Sequence, residues 1–166
     1  GWQSWQNFYG EIYLEAGYQN MTVTAELLQF NINYYDLVFV KEAQVIPGKI
    51  EAEKYGTAVG IETEYCEDDA SDNIGYIDFG DSAIYPTKVN QSGFYKINVR
   101  YASINDGYFL LSFGNETIEF PFKNTGGWQT WGTSTIEVYL DVGEADMIFT
   151  GATGLLNINY FEFEFA

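Results

Sequence analysis

Asn157-Ile158-Asn159-Tyr160-Phe161-Glu162-Phe163-Glu164-Phe165 closes the chain, and its second half alternates without a break. Successive side chains of a strand point to opposite sides, so Phe161, Phe163 and Phe165 share one face and Glu162 and Glu164 the other. The core lies on the phenylalanine side. The same alternation recurs upstream and predicts strands near 49–55, 74–79, 83–89, 93–102, 108–113, 116–122, 131–142 and 145–150. Turn signals separate them, among them Gly80-Asp81, Asn105-Asp106-Gly107, Gly114-Asn115 and Gly126-Gly127. Helix periodicity is hard to find. The expected fold class is all-β, a β-sandwich jelly roll.

The run Asn157-Ile158-Asn159-Tyr160 also occurs earlier, as Asn31-Ile32-Asn33-Tyr34, 126 positions upstream (157 − 31 = 126). Trp2, Trp5, Tyr13, Leu14, Gly17 and Met21 recur at the same offset as Trp128, Trp131, Tyr139, Leu140, Gly143 and Met147. A gapless period of that size points to domain-sized tandem units rather than solenoid repeats. Residues 1–40 therefore read as the C-terminal fragment of an upstream module, 41–48 as a Pro-Gly-containing linker, and 49–166 as one complete module. The fragment is expected to be ordered and to pack on another protein segment or copy, since its strand faces would otherwise be bare. Either residues 127–166 complete the sandwich, or residues 1–40 take their place in a permuted arrangement. With no initiator methionine and no apolar leader, the chain reads as a segment of something longer.

Composition narrows the partners. Twenty-four acidic against 7 basic residues give a net charge of −17, which repels phosphate backbones and anionic membrane surfaces. Neither nucleic acid nor a membrane is an expected partner, and no 18-residue apolar stretch is present to span one. There is no histidine, which removes the commonest general base, the usual zinc ligand and the Ser-His-Asp arrangement together. Cys66 is alone, so no disulfide forms within the chain. Aromatic residues make up 19%, enough to furnish both strands and a ligand surface.

The strongest local motif is Gly126-Gly127-Trp128-Gln129-Thr130-Trp131. A Gly-Gly turn lets Trp128 project from the end of the sandwich, while Trp131 is expected to return to the body. The segment 62–73 is too acidic and too poor in aliphatics for a core strand, and reads as a long loop. Ile50-Glu51-Ala52-Glu53-Lys54-Tyr55, Gly60-Ile61-Glu62-Thr63-Glu64 and Asn73-Ile74-Gly75-Tyr76-Ile77-Asp78-Phe79-Gly80-Asp81 precede it or follow in order, then 126–131 and 157–161. In that order they resemble a family 6 carbohydrate-binding module, a β-jelly roll appended to polysaccharide-degrading enzymes.

The resemblance implies a loop-end cleft with roles for individual residues. Trp128 and Tyr76 would sandwich one sugar ring, Asn157 would bond adjacent hydroxyls through both ends of its amide, and Glu64 would accept hydroxyl protons at the cleft edge. Leu156 stands where the family often has an aromatic, which weakens that part of the cleft floor. Ser82 stands where some members carry the tryptophan of a second site, so that site is expected to be absent or altered.

A second constellation is acidic. Glu51 and Glu53 read as outward residues of the first strand and Glu164 as outward on the last; were those strands neighbours, like charges would meet at a cost that an oxygen-loving cation reverses. The resemblance implies a structural Ca²⁺ there, held by Glu51, Glu53 and Glu164, with Glu162 as the alternative ligand. Glu62, Glu64, Asp68 and Asp69 supply carboxylates for glycoside hydrolysis, but they sit on one segment with no facing second acid.

The expected function is a non-catalytic module of a secreted, extracellular multimodular protein. Its ligand would be a neutral β-linked polysaccharide of the β-glucan, xylan or agarose type. The alternative is an adhesive jelly-roll repeat of an extracellular, calcium-stabilised assembly.

Overall fold

The computed structural model describes residues 3–10, 12–26, 30–37, 42–153 and 155–166, and divides into two units, Gly1–Phe39 and Val40–Ala166. The second unit is a sandwich of two sheets. Its strands are β1 (Gln44–Ile46), β2 (Gly48–Glu51), β3 (Thr57–Val59), β4 (Glu62–Tyr65), β5 (Asp72–Gly75) and β6 (Ser82–Val89). They continue as β7 (Gly93–Ser103), β8 (Gly107–Phe113), β9 (Glu116–Phe122), β10 (Trp131–Leu140), β11 (Gly143–Gly151) and β12 (Leu156–Phe165). One sheet runs β1-β6-β11-β8-β9 with β3 also on β6; the other runs β10-β7-β12-β5-β4 with β2 also on β12. All pairings are antiparallel except β1 on β6. This is the expected β-sandwich jelly roll, and residues 127–166 supply its β10, β11 and β12.

Aromatic side chains from the two sheets meet in the core. Phe161 of β12 sits 5.5 Å from Tyr85 of β6 and 6.5 Å from Phe149 of β11, and Phe163 is edge-on to Phe113 at 6.0 Å. Phe161 and Phe163 are buried as their alternation predicts. Phe165, at the strand's end, is half exposed but still stacks on Tyr95 at 4.7 Å. Buried Tyr85 needs a partner for its hydroxyl, and it donates to the Ala52 carbonyl at 2.7 Å. Burial pushes that hydroxyl's pKa far above its ordinary value.

Several boundaries differ from expectation for local reasons. Residues 44–46, read as linker, form β1, and Ile46 is fully buried. The first long strand ends at Glu51, where a 3-10 turn over Ala52–Lys54 carries Glu53 off the sheet. The strand expected over 74–79 stops at Gly75, because Tyr76 adopts φ +56. The segment 62–73 is not all loop: its first residues form β4, an edge strand against β5, which needs no aliphatic core face.

In the first unit no strand forms among the described residues, and Phe8, Tyr9, Ile12, Tyr13 and Tyr18 are exposed. In the second copy of this sequence, β10 and β12 each pair with β7. Residues 1–39 contain no counterpart of β7. Trp2 lies outside the described residues; Asn31 borders a hollow with Trp5, Phe30 and Tyr34. No described helix is long and apolar enough to cross a membrane.

Truncating the central ring tests the inter-sheet core. Phe161→Ala should lower the unfolding free energy by about 3–5 kcal/mol, measured by urea denaturation; a loss below about 1 kcal/mol would contradict this packing.

Candidate functional site

The end of the sandwich where β5 and β7 stop and β10 and β12 begin is built around one amide. Asn157, only 3% exposed, donates from Nδ2 to Glu64 Oε1 at 2.5 Å and to the Trp128 carbonyl at 2.9 Å. A β-carbon placed on Gly75 would lie 2.7 Å from Asn157 Oδ1 and 3.4 Å from Glu64 Oε1. Glycine is required there by close approach. Tyr76 follows directly, 65% exposed, and Trp128 is 40% exposed. The positive φ of Tyr76 is strained for a residue with a large side chain, and such strain persists where surrounding structure over-determines it. Glu64, Tyr76, Trp128 and Asn157 are thus brought to one place.

The position of Asn157 depends on a bulge. Asn157 pairs with Ala102 and Ile158 with Tyr101, yet Tyr160 pairs with Arg100, so Asn159 is an extra residue in β12. By simple alternation Asn157 would share the inward face of Phe161. The bulge breaks the parity and places Asn157 on the outward face with Tyr160. Asn159 is itself fully buried, its Nδ2 donating to Asp69 Oδ2 at 3.2 Å and its Oδ1 accepting from Ser71 at 3.4 Å.

Asp69 and Ser71 lie in the turn between β4 and β5, which is also fastened through Arg100 on β7. Arg100 Nε and Nη2 bond the two oxygens of Asp68 at 2.7 and 2.6 Å, a bidentate pair. Cys66 is buried at the base of this turn, and burial pushes its thiol up, away from the reactive thiolate.

Two readings of the cleft need correction. Asn157 does not present both amide ends outward, since Nδ2 is occupied by Glu64 and the Trp128 carbonyl. Leu156 is no part of a cleft floor: it is buried in the core. The neighbouring Leu155 is the exposed one, at φ +61, its N–H donating to the Ile77 carbonyl at 3.0 Å. Trp131 returns to the body as expected, half-buried, with its indole N–H on Gln129 Oε1 at 3.2 Å. Gln129 and Asn73 escaped the sequence reading, although the Trp-Gln-Thr-Trp spacing already placed Gln129 between two rings.

The acidic constellation does not assemble as expected. Glu51 pairs opposite Tyr160, whereas Glu164 pairs opposite Lys96 and accepts from Asn98 Nδ2 at 3.3 Å. At a rise of about 3.3 Å per residue, Glu164 lies about 13 Å along β12 from the register of Glu51. Glu162, the alternative, faces Lys49. Among the described residues no group of three or more acidic, His or Cys side chains is arranged to hold a metal. Yet Glu51 Oε2 and Glu53 Oε2 are both buried without a hydrogen-bond partner. Buried carboxylate oxygens without partners are costly, and hard oxygen donors are what Ca²⁺ takes.

Together these features describe a β-sandwich module with two exposed aromatic rings at one end. The sequence profile of the carbohydrate binding module (family 6) matches residues 51–165, and the chain belongs to that family of non-catalytic modules. Among solved structures it is similar to a carbohydrate binding module from Cellvibrio mixtus lichenase 5A in complex with cellotriose. That pair shares 30% identity at a TM-score of 0.68, covering 72% of this chain and 98% of that one. It is similar also to the C-terminal family 6 module of a marine laminarinase from Zobellia galactanivorans, with 35% identity, a TM-score of 0.65 and coverage of 68% and 94%. A β-1,3-glucan-binding family 6 module from Bacillus halodurans matches with 31% identity, a TM-score of 0.68 and coverage of 74% and 99%.

The Asp68–Arg100 pair gives a pH-dependent prediction. Its hydrogen bond from Arg100 holds the Asp68 carboxyl below the ordinary 3.8. A depressed folded value contributes stability above 3.8 that is lost as pH falls through the folded value. Wild type should therefore exceed Asp68→Asn near neutrality by about 1 kcal/mol or less, given solvent screening. Urea denaturation should show that margin closing with acid; a margin independent of pH would exclude the pair's contribution.

Proposed function

We propose that this module holds a neutral β-linked polysaccharide in the loop-end cleft, as part of a secreted multimodular protein. The observation that carries the reading is the pairing of two exposed rings, Tyr76 and Trp128, with the fixed Asn157–Glu64 contact. The rings offer flat apolar faces for a sugar's C–H surface, and Glu64 accepts hydroxyl protons. Asn157 sets the spacing between Glu64 and the Trp128 backbone. The net charge of −17 disfavours sulfated or uronic chains. Within the β-glucan, xylan and agarose group, similarity to modules of a lichenase, a laminarinase and a β-1,3-glucan binder favours β-glucan. The module would keep a tethered partner domain close to its polymer by raising effective concentration.

Affinity electrophoresis in laminarin, barley β-glucan, xylan and agarose gels tests this. Trp128→Ala should lose about tenfold in affinity, the worth of a stacked ring with its buried area. Wild-type retardation of the variant in every gel that retards the parent would overturn the cleft assignment. If the parent is retarded by none of them, the adhesive-repeat reading gains instead.

We propose further that Ca²⁺ is held by Glu51 and Glu53, the two carboxylates with unpartnered buried oxygens. The ion would take the two Oε2 atoms that the Lys49–Glu51 and Lys54–Glu53 ion pairs leave without a partner, and no part in sugar contact. Chelation should lower the thermal midpoint of the parent and leave Glu51→Gln/Glu53→Gln unmoved. An identical midpoint for the parent with and without chelator counts against the ion.

A further inference from the structure

Gln129 sits between Trp128 of the β9–β10 loop and Trp131, the first residue of β10, and makes contacts at both ends of its amide. Its Oε1 accepts from the Glu67 backbone N–H at 2.9 Å and from the Trp131 indole at 3.2 Å. Its Nε2 donates to the Tyr65 carbonyl at 3.2 Å, to Asn73 Oδ1 at 3.3 Å and to Glu64 Oε1 at 3.4 Å. Asn73, fully buried, in turn donates to Glu64 Oε1 at 3.3 Å and to its neighbour's carbonyl at 3.2 Å. One side chain from the β9–β10 loop therefore touches both strands of the β4–β5 hairpin and Glu67 in the turn that joins them.

We propose that Gln129 is a positioning residue for recognition: it bolts the loop carrying Trp128 to the strand carrying Glu64, and it fixes which oxygen of Glu64 is left for ligand. The proposal rests on the sugar-binding reading of the cleft and deepens it. Glu64 Oε1 takes amide N–H groups from Asn73, Gln129 and Asn157, which exhausts its acceptor capacity. Oε2 is then the acceptor available to a hydroxyl. The site selects ligands that present a hydroxyl donor between two rings, and it rejects carboxylated sugars that would place an anion against Oε2. Gln129 does this without touching the ligand.

Two substitutions separate positioning from mere scaffolding. Gln129→Glu keeps an oxygen for the Glu67 N–H and the Trp131 indole, so the loop stays docked, but it replaces the Nε2 donors with a second carboxylate oxygen beside Glu64. Gln129→Leu removes both ends. Isothermal titration with a laminari-oligosaccharide at neutral pH should show about tenfold or greater weakening for both, the loss expected when charged hydrogen bonds are broken. The Trp131 indole N–H resonance should stay in place in Gln129→Glu and move in Gln129→Leu. A resonance in place with affinity within twofold of the parent in Gln129→Glu overturns the proposal, because docking alone would then suffice. If Gln129→Glu fails to fold, Gln129→Leu decides: affinity within twofold of the parent overturns the proposal too. A parent that binds no glucan, xylan or agarose ligand would instead sink the sugar-binding reading and this deepening with it. An unmoved indole resonance in ligand-free Gln129→Leu would by itself show that Gln129 does not dock the loop.

Discussion

The extra residue in β12 is the constraint on which the rest of the molecule turns. A strand alternates with period two, so a residue four positions from Phe161 belongs with it in the core. Asn159 interrupts that parity, and the interruption allows one strand to serve two purposes. Its C-terminal half delivers Phe161 and Phe163 to the space between the sheets. Its N-terminal half delivers Asn157 to the outward side, at the sandwich's end. The extra residue's own side chain is tied to the β4–β5 turn, through Asp69 and Ser71. The same turn is held by Arg100 on the neighbouring strand. The turn at this end of the sandwich is thereby fastened to the second sheet through β7.

Burying amides at the base of an open cleft is stable only when each is satisfied. Asn73, Asn157 and Gln129 satisfy one another through Glu64, the Tyr65 and Trp128 carbonyls and the Glu67 N–H. Among the described residues Glu64 is held by amide N–H donors and by no cationic side chain. This leaves the cleft anionic, in keeping with the chain's net charge of −17.

Much of this was legible before any coordinates. The Phe-Glu alternation and the glycine turns announce a sandwich, because a strand's two faces meet different solvents and turns need residues tolerant of φ > 0. Gly126, at φ +98, is one of those turns. Of the residues grouped on the sequence, Glu64 and the Trp128 carbonyl are both bonded to Asn157, and Tyr76 follows the glycine packed against that amide. What escaped was whatever depends on register. Nothing in Asn157-Ile158-Asn159-Tyr160 distinguishes a bulge from regular strand, and the resemblance that put Leu156 at the cleft floor says nothing of which face it takes; it is buried in the core. Glu164 was grouped with Glu51 by face alone, while the pairing of Glu51 with Tyr160 sets them far apart along the strand. The β4 strand was hidden because an edge strand has no hydrophobic signature to read.

The crowding of three amide donors onto one oxygen of Glu64 has a consequence for how this cleft's energy can be described. Groups that share a single acceptor form one thermodynamic unit, in which removing any member releases or strands the others. Single substitutions at Asn73, Asn157, Gln129 and Glu64 would each report the collapse of the same arrangement, and their losses would sum to more than the whole. Energy there belongs to the set, and no share of it can be assigned to one residue.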